Sequence, residues 1–227
     1  MKILKIGHRG ARLYEPENTL RSFAAAVRLG VDYAEFDVRF SLEKIPVVIH
    51  DETVDRTTRG RGRVGRLTLP ALRRLDAGRG EKIPTLEEAL RFLRDHRTGA
   101  LVELKEKHGV DRVVRAVEKS GARSILISFY PEVLKEIAHL NPELPTGLIF
   151  SNPIRKRAGF FRLAKTCRAR WLLGHIRALS RPFVDTAHRL GFQVEAWVAN
   201  DRRAVRRLAA MGVDAIASDK PDLLQGV

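Results

Sequence analysis

The chain has 227 residues, 44% apolar and 30% charged, which allows one large domain or two small ones with a sizeable core and reads as ordinary soluble globular protein. No apolar run approaches the roughly 18 residues of a membrane span, and no basic segment followed by an apolar stretch and a cleavage site opens the sequence. Cys167 is the only cysteine, excluding an internal disulfide and a cysteine-ligated metal cluster and suiting a reducing, cytoplasmic location. The 42 Lys and Arg against 27 Asp and Glu give +15, a balance that attracts anions such as nucleic acid, acidic membrane or phosphorylated small molecules. Much of that surplus is arginine in helix-like segments (Arg73-Arg74, Arg202-Arg203, Arg206-Arg207), where a solvated outer face is the ordinary role. No aromatic residues interleave with these arginines, so nucleic acid is not expected as a partner.

In chain order, short apolar runs alternate with amphipathic stretches. Strand patterns fall at 3–7, 33–38, 100–105, 124–128, 146–150, 171–173, 192–197 and 215–218; helix patterns fall at 20–29, 86–96, 110–119, 132–140, 160–167, 182–190 and 202–211. Eight strands alternating with helices predict a parallel sheet closed into a (β/α)₈ TIM barrel, one domain over residues 1–227. The rhythm breaks once, between Val38 and Ala100, where a hairpin, loop and short helix form an insertion at about 39–83. Arg39–Ser41 and Pro46–His50 flank the polar turn Leu42-Glu43-Lys44-Ile45. That turn centre sets Ser41 opposite Pro46, Arg39 opposite Val48 and Asp37 opposite His50. Gly60-Arg61-Gly62-Arg63-Val64-Gly65 matches GxGxxG formally, but polar Asp55–Arg59 precedes it where a dinucleotide site needs a strand, so it reads as an exposed loop.

In such a barrel, side chains at the strand ends meet at one mouth. His8, Asp37, Glu103, Lys105, Trp197 and Asp219 all fall at strand ends. Glu35 and Asp37 lie two apart on one strand and share a face, and Glu103 and Lys105 repeat the pattern on the next. Three converging carboxylates suit a hard divalent cation, Mg²⁺ or Ca²⁺, or else an ion-pair network with Arg9 and Lys105. His8 and His50 suit general acid and base chemistry because imidazole exists in both protonation states near neutrality. Arg9 and Lys105 suit a phosphate or neutralise the carboxylates. Trp197 fits a substrate wall or barrel core, Asn18 fits the N-cap of the first helix, and His108 and His175 follow strands towards the mouth.

These residues give the sequence its resemblance to the glycerophosphodiester phosphodiesterase family. It resembles that family in His8-Arg9-Gly10, Pro16-Glu17-Asn18-Thr19, Glu35-Phe36-Asp37-Val38, Pro46–Asp51 with Arg56-Thr57-Thr58, Leu75-Asp76-Ala77-Gly78, Ile83–Glu87, Glu103-Leu104-Lys105, Trp197 and Ser218-Asp219. The set spans the chain in order. The resemblance implies a TIM barrel with a small insertion, catalytic His8 and His50, metal ligands Glu35, Asp37 and Glu103, and phosphate contacts from Arg9 and Lys105. It departs at Glu43-Lys44, where an Asp-Gly turn is usual, at Ser41 for a common Thr, and at Trp197-Val198-Ala199-Asn200 for Trp-Thr-Val-Asn. The expected reaction is hydrolysis of glycerophosphodiesters, such as glycerophosphocholine or glycerophosphoethanolamine, to glycerol 3-phosphate and an alcohol. Three alternatives stand beside it. They are lysophospholipase D-type cleavage of lysophospholipids at an anionic membrane surface, glycoside hydrolysis by two carboxylates, and noncatalytic nucleic-acid binding. The sequence sets no oligomeric state.

Overall fold

The computed structural model describes residues 2–226. Its strands are β1 (Leu4–Gly7), β2 (Tyr33–Phe40), β3 (Pro46–Val48), β4 (Gly99–Leu104), β5 (Ser124–Ser128), β6 (Thr146–Phe150), β7 (Trp171–His175), β8 (Gln193–Trp197) and β9 (Ala215–Ser218). Its helices are α1 (Leu20–Arg28), α2 (Leu69–Arg74), α3 (Leu86–Asp95), α4 (Val110–Ser120), α5 (Pro131–Leu140), α6 (Arg157–Thr166), α7 (Arg181–Arg189) and α8 (Arg202–Met211). The order β1-β9-β8-β7-β6-β5-β4-β2, closed by parallel pairing of β1 with β2, makes the expected eight-stranded TIM barrel. β3 hangs on β2 as an antiparallel ninth strand outside the ring.

Period-two alternation divides every barrel strand between two cores. On β2, Ala34, Phe36, Val38 and Phe40 face the helices and pack in the outer core; on β4, Ala100, Val102 and Leu104 do the same. The intervening residues turn inward, where Ile6, Tyr33, Leu101, Ile125, Ile127, Ile149, Trp171, Leu173, Ala215 and Ala217 fill the barrel. Glu35 and Asp37 on β2, Glu103 on β4 and Glu195 on β8 fall on this inward phase and are thereby committed to the interior. Helix ends follow local chemistry: Thr85 and Glu88 form a reciprocal capping box on α3, and Asp201 caps α8, which stops at Gly212 in the left-handed region.

Between β2 and β4 the chain builds a small satellite core of its own from Val47, Ile49, Val54, Val64, Leu72, Ala77 and Ile83. The GxGxxG stretch lies here with no strand leading into it, and Thr53 bridges Arg63 across the loop. The hairpin register corrects the sequence expectation by one residue. Val38 faces Val48, Arg39 faces Val47 and Phe40 faces Pro46. Lys44, not Ile45, closes the turn: it adopts φ 62°, and the Ser41 and Ile45 backbones meet through a 3.0 Å hydrogen bond around a three-residue loop.

Candidate active site

The turn after β1 sets the first side chains. Arg9 sits in the left-handed region at φ 51°, which aims its backbone N–H at Glu35 Oε2, 2.8 Å away. Gly10 follows at φ 81° against α1, where any Cβ would collide with Ser22. Only glycine fits there, and the Ser22 hydroxyl fastens the turn by donating to the Arg9 carbonyl at 2.8 Å.

β2 carries Glu35 and Asp37 inward and β4 carries Glu103 beside them, all three buried. One oxygen from each lies within 4.8 Å of the others. Lys105 donates to Glu103 Oε1 at 2.7 Å and stands 3.4 Å from Asp37, while Arg9 Nε lies 3.3 Å from Asp37. Burial, then repulsion from Asp37 and Glu103, drives the Glu35 carboxyl well above the usual range. Burial and the charge of Asp37 lift Glu103 to about 7. Burial pushes Asp37 the same way, but Lys105 and Arg9 win and hold it low. An all-oxygen donor set of this span fits a hard divalent cation, whose charge would favour the ionised form of Glu35 and Glu103.

The two histidines are built alike. His8 Nδ1 pairs with Asp219 at 2.6 Å, and His50 Nδ1 pairs with Asp51 at 2.6 Å, leaving each Nε2 for the cavity. His8 Nε2 stands 3.9 Å from Glu35. Burial lowers the pKa of both imidazoles, against the opposing pull of Asp219 on His8 and of Asp37 on His50. His50 lies past the end of β3 on a bend, with its carbonyl held by Arg39 at 2.8 Å, so strict strand alternation no longer governs where it points. It therefore reaches the cavity although its strand register differs from expectation.

Seven of the eight expected residues, His8, Arg9, Glu35, His50, Glu103, Lys105 and Trp197, line one cavity at the mouth of the barrel. The eighth, Asp37, completes the carboxylate cluster beside it. Trp197 anchors its indole on the Leu173 carbonyl at 3.1 Å and meets Phe129 and His175 edge to face, forming an aromatic rim. His108 instead pairs with Glu106 and packs on Phe40.

Asn18 is not the helix cap that its residue type suggests. Thr19 is the N-cap of α1, while Asn18, at φ 59°, grips Asp37 with its amide nitrogen donating to Oδ2 at 2.9 Å. The groups that hold the histidines' carboxylates come from other segments and leave no local signal in the sequence. Asn200 donates to Asp219 at 2.7 Å, and Arg56 donates to Asp51 at 2.6 Å. Glu17 accepts from both Arg9 and Arg56, tying one histidine's surroundings to the other's. A fourth interior acid, Glu195 on β8, was also overlooked, though its spacing two residues before Trp197 placed it on the same inward face.

Fold and mouth together define a (β/α)₈ hydrolase with room for a cation and an anionic substrate. The sequence matches the model of the glycerophosphoryl diester phosphodiesterase family over residues 8–223, and the chain belongs to that family. It is similar to the glycerophosphodiester phosphodiesterase of Caldanaerobacter subterraneus subsp. tengcongensis, 32% identical over 99% of this chain and 97% of that protein. A phosphodiesterase from Oleispira antarctica, solved in complex with the product sn-glycerol-3-phosphate, superposes with a TM-score of 0.92 at 29% identity, covering 97% of this chain and 94% of that one. The crystal structure of glycerophosphodiester phosphodiesterase from Agrobacterium tumefaciens gives 0.88 at 29% identity, each chain fully covered.

Proposed function

We propose that this single-domain protein hydrolyses glycerophosphodiesters to glycerol 3-phosphate and an alcohol. The reading rests on one observation: two imidazoles, each oriented through Nδ1 by a carboxylate, flank a buried carboxylate trio in the same cavity. Arg9 and Lys105 bind the phosphate oxygens, and their fixed charge matches the charge that grows there as the bond breaks. His8, the more enclosed imidazole, takes the proton from the nucleophile at Nε2. The nucleophile is water, or else the glycerol hydroxyl beside the ester, which displaces the alcohol to leave a cyclic phosphate that water then opens with the two histidines exchanging roles. His50, nearer solvent and beside Asp37, carries a proton to the oxygen of the leaving alcohol. Asp219 and Asp51 hold each Nδ1–H and stabilise the imidazolium when it forms. Trp197 walls the substrate.

Glu35, Asp37 and Glu103 would hold a Mg²⁺ or Ca²⁺, which when bound draws charge from the phosphoryl oxygens. No helix among the described residues is long and apolar enough to cross a membrane. A cytoplasmic location, with the basic surface touching anionic membranes peripherally, completes this reading. The test is release of glycerol 3-phosphate from glycerophosphocholine and glycerophosphoethanolamine, with lysophosphatidylcholine assayed alongside. Chelator should abolish turnover and Mg²⁺ or Ca²⁺ restore it; His8→Ala and His50→Ala should each lower kcat roughly 10²- to 10⁴-fold. Full activity in both variants would end the proposal.

A further inference from the structure

Glu195 is a buried acid that the mechanism above does not use. It sits at the centre of β8, 2% exposed, between Leu173 and Ala215 on the neighbouring strands. Its side chain makes no hydrogen bond or ion pair with any described residue, in contrast to Glu35, Asp37 and Glu103, each held by a cation or backbone N–H. It lines the same cavity as the histidines, in a wall otherwise made by Leu173, Ala217 and the ring of Trp197.

The ring order fixes where this wall lies. Starting from β1 and passing through β2, β4 is the third strand and β8 the seventh, four strands apart in either direction. Glu195 thus faces the cavity from the side opposite Glu103, with the space of the cavity between them. A lone polar group in an apolar wall is costly unless something in the cavity hydrogen-bonds to it. A phosphodiester whose phosphate is held by Arg9 and Lys105 on the β1–β4 side can extend its glycerol half across this space, and the atoms of that half farthest from phosphorus reach the opposite wall first.

Resting on the glycerophosphodiester reading, we propose that Glu195 is a specificity-determining residue that hydrogen-bonds the terminal hydroxyl of the substrate's glycerol half. Geometry carries the assignment: an inward-facing, unpartnered carboxyl opposite the phosphate-binding wall. Burial also keeps this group protonated to about pH 8, with the charge of Glu103 adding to the effect, so at neutral pH it can both donate and accept.

The experiment compares two choline esters by choline release. One is glycerophosphocholine; the other is 2-hydroxypropyl phosphocholine, which lacks only the terminal hydroxyl and keeps the one beside the ester. The readout is the ratio of their kcat/KM values within each protein, so the amount of folded enzyme cancels. Wild type should prefer glycerophosphocholine, Glu195→Leu should shrink that preference roughly 10- to 100-fold, and Glu195→Gln, which still donates and accepts, should keep it. An unchanged ratio in Glu195→Leu overturns the inference, as does a ratio lost as fully in Glu195→Gln. The latter would mark a need for negative charge instead of a hydrogen bond. If wild type turns over neither ester, the glycerophosphodiester reading itself fails, and this inference fails with it.

Discussion

His8 and His50 each receive a carboxylate on Nδ1 at 2.6 Å, yet the two pairs are made in opposite ways. His8 and Asp219 lie 211 residues apart and meet only because β1 pairs with β9 when the barrel closes. His50 and Asp51 are sequence neighbours carried on the inserted hairpin. Asp219 is enclosed and held from three sides, by His8, Asn200 and Arg12, whereas Asp51 is about a quarter exposed and depends on Arg56, itself half exposed. The pair in the barrel is rigid because the fold supplies every partner. The pair on the insertion has the same chemistry in a wetter setting, which suits the proton-donor role proposed for His50.

If this difference matters, asparagine should weigh more heavily in the barrel pair. Asp219→Asn keeps the shape but presents the wrong donor to Nδ1, and kcat should fall on the order of 10²-fold or more; Asp51→Asn should cost about tenfold. Equal losses would show that enclosure is irrelevant. The next largest effect tests the tie between the pairs. Glu17→Ala frees both Arg9 and Arg56 and should lower unfolding free energy by roughly 1–3 kcal/mol in denaturant titrations, with both arms of the pH–rate profile disturbed.

Acid stability sharpens the comparison further. Burial would raise Asp219, but its hydrogen bonds to His8 and Asn200 hold it below the ordinary aspartate value of 3.8. Arg56 chiefly, with His50 assisting against burial, depresses Asp51. Because the folded state binds these protons less readily, their contribution is fully present above about pH 4 and drains away as pH falls through the lower folded values. Thermal unfolding between pH 5 and 2 should therefore show a flatter acid limb in Asp219→Asn than in wild type. Asp51→Asn should show less change, since solvent screens its pair. The smallest effect is that of salt. Raising ionic strength from about 0.05 to 0.5 M should shift the pKa assigned to His50 by NMR titration more than that of His8, because the Asp51–Arg56 contact is open to counterions.

The barrel was legible because its signal is local. Alternation on 124–128, 146–150 and 215–218 predicts three strands whose observed limits coincide with it. The inward phase of Glu35, Asp37, Glu103 and Lys105 follows from period two alone. The insertion was legible in kind but not in register: the side-chain pattern of 39–48 fits either pairing, and Lys44's left-handed backbone chose between them. Asn18 shows the same limit. Its residue type and position suit a helix cap, and only its approach to Asp37, 19 residues away, reveals that it holds one of the three clustered carboxylates instead.

Sequence by itself determined the strand–helix alternation and the inward face of Glu35, Asp37, Glu103 and Lys105, since each follows from spacing along one element. Tertiary structure decided the partners: Asp219 for His8, Glu17 between two arginines, Asn18 on Asp37, and an unpartnered Glu195 across the cavity. Those depend on which segments become neighbours when the ring closes, and a contact between separate segments leaves no periodic trace in either one.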